Sequence, residues 1–155
     1  MELIIFMGLQ ASGKSTFYRS HFAATHAYVS KDLLRNNKKP GSRQMQLVEE
    51  ALMAGQSVVI DNTNPTPGER EPLIRLGHAY GAQVTGYYFA SAVRSSLERN
   101  KTRSGKARVP DVAIYVTAKK LVRPTYAEGF DKLYDVCIAD DSNFEVREWE
   151  QNEVR

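Results

Sequence analysis

The stretch GLQASGKST, from Gly8 to Thr16, constrains the fold of this chain more than any other feature of its sequence. It follows directly on the apolar run LIIFM, which is typical of a buried strand, and it opens the predicted helix GKSTFYRSHF. Residues 8–15 match the pattern GxxxxGK[ST] letter for letter. Its glycines let backbone N–H groups turn inward around phosphate oxygens, and the helix N-terminus adds positive dipole there. We therefore predict a phosphate-binding loop between a buried strand and a helix.

The side chains of this loop predict a site for a nucleotide and Mg²⁺. Lys14 is placed to reach the β and γ phosphates, and the Ser15 hydroxyl to bind Mg²⁺. The motif alone does not distinguish a GTPase, a motor ATPase and a kinase. The guanine-reading pattern NKxD has only a near miss at residues 100–103, and motors need larger chains, so a small ATP-dependent kinase fits best. The predicted nucleotide-binding residues are Gly8, Ala11, Ser12, Gly13, Lys14, Ser15, Thr16, Arg99 and Arg103.

The rest of the chain alternates between strand and helix patterns. Apolar runs predict strands at 3–7, 57–61, 84–90 and 132–139, with shorter ones at 27–30 and at FEV, 144–146. Gly55 and Gly81 stand where left-handed helix C-caps are expected, and Pro110 where a first helical turn begins. Four predicted helices each carry apolar residues on one face. The four sets are Met45, Val48 and Leu52; Leu73, Leu76 and Tyr80; Val93 and Leu97; and Val112, Tyr115 and Val116. The pattern predicts a three-layer α/β P-loop NTPase fold with a mostly parallel sheet.

Bulk composition sets the broad class of the protein. At 155 residues and 42% hydrophobic, we expect one domain over 1–155, with a polar tail after 141. No apolar run approaches the roughly 20 residues of a membrane span, so we expect no membrane partner and a cytoplasmic protein. The single cysteine, Cys137, is expected to be a small buried strand residue. The net charge of +3, taken by itself, does not distinguish binding to nucleic acid, binding to a membrane surface and ordinary solubility.

The segment VSKDLLRNN, 29–37, predicts residues that act on a phosphoryl acceptor. Asp32 follows a predicted strand, at the sheet edge where α/β folds bind ligands. Arg35 is its i+3 neighbour in a helical turn, so both side chains can point at one acceptor. A carboxylate orients or deprotonates an attacking hydroxyl, and an arginine grips an anionic group with two hydrogen bonds. The alternative is a surface ion pair with Asp32 as a helix cap.

The predicted strand SVVID ends on Asp61, where an acid approaches the metal in many P-loop proteins. Two roles stay open for Asp61: holding a water on Mg²⁺, or orienting Arg35 on the acceptor side. Asn62, Thr63 and Asn64 either line the acceptor side or cap the turn before the prolines.

Residues 99–109 form a predicted basic lid. Arg99 and Arg103 lie four residues apart at a helix end, so both can fold over a nucleotide and touch its phosphates. The alternative is a solvated basic loop. Lys106 and Arg108, with Lys38, Lys39 and Arg43, are arranged as a possible track for a nucleic-acid backbone.

These motifs, in this order, resemble the kinase domain of the polynucleotide 5′-hydroxyl kinases. The matching pieces are GLQASGKST, SKDLLRN, VVIDNTNPT, RNKTRSGKARVP and PTYAEGF. The resemblance implies that Asp32 is the general base, that Arg35 engages the acceptor phosphate, and that Arg103 is the lid arginine on the donor phosphates. Four aromatics, Phe17, Tyr18, Tyr28 and Tyr126, are candidates to stack on a base, with Phe17 equally suited to the core.

The resulting hypothesis is an ATP- and Mg²⁺-dependent kinase that acts on a 5′-hydroxyl of a polynucleotide or nucleotide, with Lys14, Asp32 and Arg103 as catalytic residues. A kinase of a nucleoside, sugar or antibiotic is the first alternative, and there Arg35 pairs with Asp61. A nucleotide-gated binding module without an acceptor is the second.

Overall fold

A computed structural model describes residues 1–34, 36–139 and 143–150. Within these residues, strands and helices alternate from the first strand to the fourth helix, and the fifth helix follows the fourth directly. The elements are β1 (Glu2–Gly8), α1 (Lys14–His21), β2 (Ala27–Val29), α2 (Pro40–Met53), β3 (Val58–Asp61), α3 (Pro67–Ala79), β4 (Gln83–Phe89), α4 (Val93–Lys101), α5 (Asp111–Lys120), β5 (Lys132–Ile138) and β6 (Phe144–Glu148). Short 3₁₀ turns cover Lys31–Leu34, Gly105–Ala107 and Tyr126–Glu128.

The six strands form one sheet in the order β2-β3-β1-β4-β5-β6. Neighbouring strands are parallel except for the pair β5 and β6, in which Ile138 lies opposite Phe144. The predicted α/β fold with a mostly parallel sheet is therefore confirmed, and the FEV run does add the edge strand. Because the carboxyl ends of β1, β2 and β3 meet at one edge, the residues that follow these three strands come together there.

The hydrophobic core lies on both faces of β1. Leu3, Ile5 and Met7 face a layer that includes Val48 of α2 and Leu73 of α3. Ile4 and Phe6 face the opposite side, where they pack with Phe17 of α1 and neighbouring aromatics. Burial on both faces explains why LIIFM is continuously apolar rather than alternating.

The helix ends follow the predicted signals. Gly55 and Gly81 both adopt φ of 73°, the left-handed conformation expected just after α2 and α3. Pro110 precedes the first residue of α5. No helix in the described ranges is long and apolar enough to span a bilayer.

One apolar helical face lies outward, and one expectation about burial was wrong. In α5, Val112, Tyr115 and Val116 are 65%, 51% and 46% exposed, while Ile114 and Thr117 face inward. The apolar periodicity of α5 therefore marks its outer face. Cys137 is only partly buried, because its neighbour β6 is mostly exposed and leaves this end of the sheet open to solvent.

Candidate active site

The loop between β1 and α1 has the backbone shape that its glycines permit. Gly8 and Gly13 have φ of 147° and 97°, and Ala11 also has a positive φ, of 58°. A Cβ on Gly13 would lie 2.9 Å from the ring of Phe144, so the position has no room for a side chain. The N–H of Gly8 donates to the carbonyl of Thr63, which ties the loop to the segment after β3.

The side chain of Lys14 lies inside this loop. Its Nζ donates to the carbonyl oxygens of Leu9, at 2.6 Å, and of Gly8, at 3.1 Å. Burial lowers the pKa of Lys14 to about 8, with the charge of Arg103 acting in the same direction and those of Asp61 and Asp32 opposing it. The ammonium is thus held by backbone carbonyls at the point where phosphate oxygens would provide a stronger partner.

Ser15 and Asp61 form the polar centre of the site. The Ser15 hydroxyl donates to Oδ2 of Asp61 at 2.7 Å, and the Tyr28 hydroxyl donates to the same oxygen at 2.5 Å. Asp61 is buried at the end of β3, between β2, which carries Tyr28, and β1, which leads through the loop to Ser15 in α1. Burial and the neighbouring Asp61 carboxylate raise the pKa of Tyr28, so its hydroxyl remains a donor.

The donor set of this centre fits Mg²⁺, which prefers hydroxyl, carboxylate, water and phosphate oxygens. In the described part of the chain, no three His, Cys, Asp or Glu side chains cluster as a protein-only metal cage. A Mg²⁺ ion takes most of its ligands from water and substrate phosphates, so the Ser15 hydroxyl and the Asp61 carboxylate would suffice as its protein partners.

A cleft of about 270 Å³ lies over the loop and brings the predicted phosphate and acceptor residues together. Its walls come from the phosphate loop, the 3₁₀ turn after β2, the segment after β3, and the lid. The lining residues include Lys14, Ser15, Lys31, Asp32, Asp61, Asn62, Thr63, Asn64, Glu69 and Arg103. Arg35, the predicted partner of Asp32, lies outside the described residues.

The 3₁₀ turn that carries Asp32 is anchored by two side chains. Ser30 Oγ accepts from the N–H of Asp32 at 3.2 Å, and Asn62 Oδ1 accepts from the N–H of Lys31 at 2.9 Å. The other end of the Asn62 amide, Nδ2, donates to Oε1 of Gln44, a buried residue of α2. Sequence reasoning missed Gln44, although its position on the same helical face as Val48 was a usable signal.

The two lid arginines occupy different places. Arg99 Nε donates to the carbonyl of Ala11 at 2.6 Å, and Arg99 Nη2 donates to Ser91 Oγ at 2.7 Å. Arg103 donates to the carbonyl of Ala107 and lines the cleft over the loop. Arg99 is therefore attached to the phosphate loop itself, whereas Arg103 faces the space above it.

A second cavity, of about 320 Å³, lies on the other side of the phosphate loop. Its apolar wall is formed by Ile138 and Phe144, which pair between β5 and β6. Arg103 lines this cavity as well as the cleft. The remaining lining residues are Ala11, Gly13, Thr16, Arg99 and Thr102.

The four aromatics proposed as stacking residues line neither cavity at the loop. Phe17 is buried in the core, and the Tyr18 hydroxyl donates to the carbonyl of His26. Tyr28 is bonded to Asp61, and the Tyr126 hydroxyl accepts from the N–H of Leu133. Each of the four therefore has a structural role in the packing or hydrogen bonding of the domain.

Arg70 of α3 anchors the segment that follows Asp61 by hydrogen bonds to its backbone. The sequence analysis did not identify this residue. Arg70 is fully buried, and its guanidinium donates to the carbonyls of Asn64, Pro65 and Val122. It also pairs at 3.2 Å with Glu128, in the PTYAEGF segment. That segment therefore fixes the loop after β3 through Arg70.

Comparisons with known proteins agree with this fold. Residues 3–124 match the model of a family described as an AAA domain. A bifunctional polynucleotide phosphatase/kinase of Schizosaccharomyces pombe is 29% identical over 147 residues, which cover 90% of this chain and 35% of that protein. The chain thus spans about a third of the length of the curated relatives it matches.

Solved structures of other proteins have the same fold. Kti12 of Chaetomium thermophilum, in complex with ADP-AlF3, superposes with a TM-score of 0.70 at 16% identity and covers 90% of this chain and 92% of its own. A gluconokinase from Sinorhizobium meliloti 1021 superposes with a TM-score of 0.64 at 18% identity and covers 90% and 83%. The resemblance to polynucleotide kinases seen in the sequence is confirmed by the curated relatives, and the structures support the fold.

Proposed function

The chain belongs to the AAA domain family, and we propose that it is an ATP- and Mg²⁺-dependent kinase that transfers a phosphoryl group to a 5′-hydroxyl of a polynucleotide or nucleotide. One observation carries this proposal. A single cleft brings Asp32 together with the phosphate-loop lysine, the Ser15 and Asp61 pair, and Arg103. A kinase needs these groups together, because phosphoryl transfer is catalysed mainly by positioning and by stabilisation of charge.

On the donor side, Lys14 exchanges its carbonyl partners for the β and γ phosphates of ATP. Ser15 and Asp61 would hold Mg²⁺, which would neutralise charge on the phosphates. The hydrogen bond between Ser15 and Asp61 supports this role for Asp61 over a role in orienting Arg35. Arg103, which lines the spaces on both sides of the loop, approaches the phosphoryl group as charge redistributes during transfer.

The nucleoside of ATP occupies the second cavity, against Ile138 and Phe144. An apolar wall suits a nucleobase, and the cavity lies beside the loop that binds the phosphates. Arg99 and Thr16 line the same cavity and complete the donor side.

On the acceptor side, Asp32 accepts the proton of the attacking 5′-hydroxyl. Its carboxylate is exposed at the cleft, on the turn after β2, and so is accessible to a hydroxyl brought in from solvent. By the resemblance to polynucleotide kinases, Arg35 engages a phosphate of the acceptor. The hydroxyl oxygen then attacks the γ-phosphorus of ATP in line with the bridging oxygen of the β-phosphate. The bond between that oxygen and the γ-phosphorus breaks, which gives ADP and a 5′-phosphate.

The relatives' names support a nucleic-acid acceptor, and a small-molecule acceptor is the second candidate. The cleft brings Asp32 beside the residues for the transferred phosphate, an arrangement that serves a hydroxyl of a polynucleotide end and a hydroxyl of a free molecule alike. The two acceptors differ in their response to salt. Counterion release makes binding of an oligonucleotide weaken steeply with salt, whereas a neutral small acceptor is nearly indifferent.

The test is transfer of labelled γ-phosphate from ATP to a short 5′-hydroxyl oligonucleotide, as DNA and as RNA, beside a nucleoside and a sugar. Asp32→Ala is expected to abolish transfer and to leave ATP binding intact, because the base acts on the acceptor. Glu71→Ala is the matched control, since it removes an exposed carboxylate that pairs with Arg75 on α3. ATP binding with no transfer to any acceptor would contradict the kinase proposal and favour a nucleotide-gated binding module.

A further inference from the structure

The geometry points to Asn62 as a positioning residue for the transfer step, acting through the turn that carries Asp32. The inference rests on the proposed function and extends it to a residue that follows the metal-side acid directly in sequence. Asn62 does not act on the reacting groups itself. It sets where the backbone of the Asp32 turn stands relative to the phosphate loop.

The first observation is that the Asn62 side chain bonds to a distant segment. Its Oδ1 accepts from the N–H of Lys31, the first residue of the 3₁₀ turn. The N–H at the start of such a turn has no partner within the turn, so this bond satisfies an otherwise open donor. Asn62 therefore caps the Asp32 turn from across the sheet edge, 31 positions away in sequence.

The second observation is that the Asn62 amide is bonded at both ends, to the backbone of Lys31 and to the side chain of Gln44. Gln44 is 5% exposed, and its Oε1 accepts from Asn62 Nδ2. If the Asn62 amide turned over, its NH₂ group would face the N–H of Lys31, and two donors would meet. Both bonds are therefore made in one orientation only, and α2 supports that orientation from the protein interior.

The third observation is the place of Asn62 in the chain. Asp61, the preceding residue, is bonded to Ser15 on the phosphate loop. Residues 61 and 62 thus connect the donor side of the cleft to the acceptor side, with Asp61 bonded to one and Asn62 to the other. Because transfer rates depend steeply on the separation of the reacting groups, a small shift of the Asp32 turn lowers the rate even when both substrates bind.

The experiment compares Asn62→Ala with Asn62→Asp and Gln56→Ala. Asn62→Ala removes both bonds. Asn62→Asp keeps an oxygen for Lys31, and the Gln44 amide rotates to donate to the other carboxylate oxygen. Gln56→Ala is the matched control. Gln56 lies just before β3, at the opposite end of that strand from Asn62, and its amide donates to the carbonyl of Thr25, which lies just before β2.

We expect Asn62→Ala to lower kcat for transfer by about 10- to 100-fold, with the KM for ATP unchanged. Asn62→Asp should recover the rate to within about fivefold of the wild type, and Gln56→Ala should transfer at the wild-type rate. Hydrogen exchange gives a readout independent of activity. The amide of Lys31 should exchange at least tenfold faster in Asn62→Ala, while amides of the core strand β1 keep their protection.

Three results would overturn the inference: an unchanged kcat in Asn62→Ala, an unchanged exchange rate at Lys31, or a KM for ATP that rises as much as kcat falls. A raised KM for the acceptor with an unchanged kcat would make Asn62 an acceptor-binding residue and would also overturn it. Failure of the wild type to transfer phosphate would instead contradict the proposed function. In that event the exchange arm still decides whether Asn62 anchors the turn.

Discussion

Ser15 and Tyr28 donate hydrogen bonds to the same oxygen of Asp61, at 2.7 and 2.5 Å. The three residues come from α1, β2 and the end of β3, and they lie together because β2 and β1 are the two neighbours of β3. Oδ2 is thereby fixed in direction by two donors.

Removing the Tyr28 hydroxyl is expected to weaken Mg²⁺ binding in the nucleotide complex. Tyr28→Phe leaves Oδ2 of Asp61 with one donor, so the carboxylate is less well oriented. The dissociation constant for Mg²⁺ should therefore rise about 3- to 10-fold, a loss at or below the low end of what is typical when a metal ligand loses a hydrogen-bond partner. Calorimetric titration of Mg²⁺ into the protein with ADP measures it. Tyr18→Phe is the matched control, because its ring packs on Tyr28 at 4.5 Å between centroids while its hydroxyl donates to His26. Equal Mg²⁺ affinities in the two variants would contradict the role of Tyr28.

ATP binding is expected to take up a proton at alkaline pH. Burial lowers the pKa of Lys14 to about 8, and phosphate oxygens stabilise its charged form, so the pKa rises when ATP binds. Above pH 8 the free protein has lost this proton and regains it on binding. The affinity for ATP should therefore fall as pH rises through 8, by up to about tenfold per pH unit.

Calorimetry at pH 9 in two buffers of different ionisation enthalpy measures the proton uptake, and Lys14→Met should abolish it.

The lowered pKa of Lys14 also affects the stability of the protein in the absence of nucleotide. The lowered pKa means that the charged form is penalised in the folded state, so the penalty is fully present below pH 8. It is relieved as pH rises toward the unfolded value of 10.5, by about 1.4 kcal/mol per unit at most. If ATP binding to the wild type takes up no proton at pH 9, the assignment of Lys14 to the ATP phosphates would be refuted.

The two lid arginines should lose activity in different ways. Arg103→Ala removes a charge that lines both cavities, so we expect kcat to fall about 10²- to 10³-fold. Arg99→Ala removes the bond to the Ala11 carbonyl that shapes the loop, so we expect mainly a raised KM for ATP. Steady-state kinetics separate the two effects, with Lys101→Ala, an exposed charge at the end of α4, as control. The reverse pattern would exchange their roles.

Breaking the Arg70 and Glu128 pair is expected to destabilise the fold. Glu128→Ala leaves the fully buried guanidinium of Arg70 without its carboxylate partner. It also removes the acceptor of the Thr125 N–H. The free energy of unfolding should therefore fall by about 3 kcal/mol. Glu71→Ala breaks an exposed pair four residues apart on α3 and should cost less than about 0.5 kcal/mol. Urea unfolding compares the two. Similar losses in both variants would mean that Arg70 finds sufficient partners in backbone carbonyls alone.

The phosphate loop and the strands were predictable because their signals are local. The stretch GLQASGKST holds the glycines, the lysine and the hydroxyl of the phosphate loop within nine residues. The continuous apolar run LIIFM indicates that β1 is buried on both faces. The position of Asp61 at the end of a strand could likewise be read from SVVID. In each case the residues that determine the structure lie within a few positions of one another.

The supports of the site were not predictable, because each depends on contacts between distant segments. From the sequence, Arg70 looks like any other charged residue of a helix, because its partners include Glu128 and the carbonyl of Val122, more than 50 positions away. Tyr28 reads as an aromatic available for stacking until β2 pairs with β3 and turns its hydroxyl toward Asp61. The outward apolar face of α5 also escaped prediction, since periodicity reports an apolar stripe without saying which way it faces.

The contact between Gly13 and Phe144 has a consequence for the order in which the molecule matures during synthesis. Gly13 leaves the ribosome long before Phe144, yet the ring of Phe144 packs against its backbone. The parallel pairing of β1 with β4 likewise cannot form until β4, about 80 residues later in the chain, has been synthesised. A nascent chain that already displays the complete GLQASGKST stretch therefore still lacks the wall of its second cavity. Nucleotide capture on the ribosome is expected to be a late event, which begins only after β6 has emerged and paired with β5.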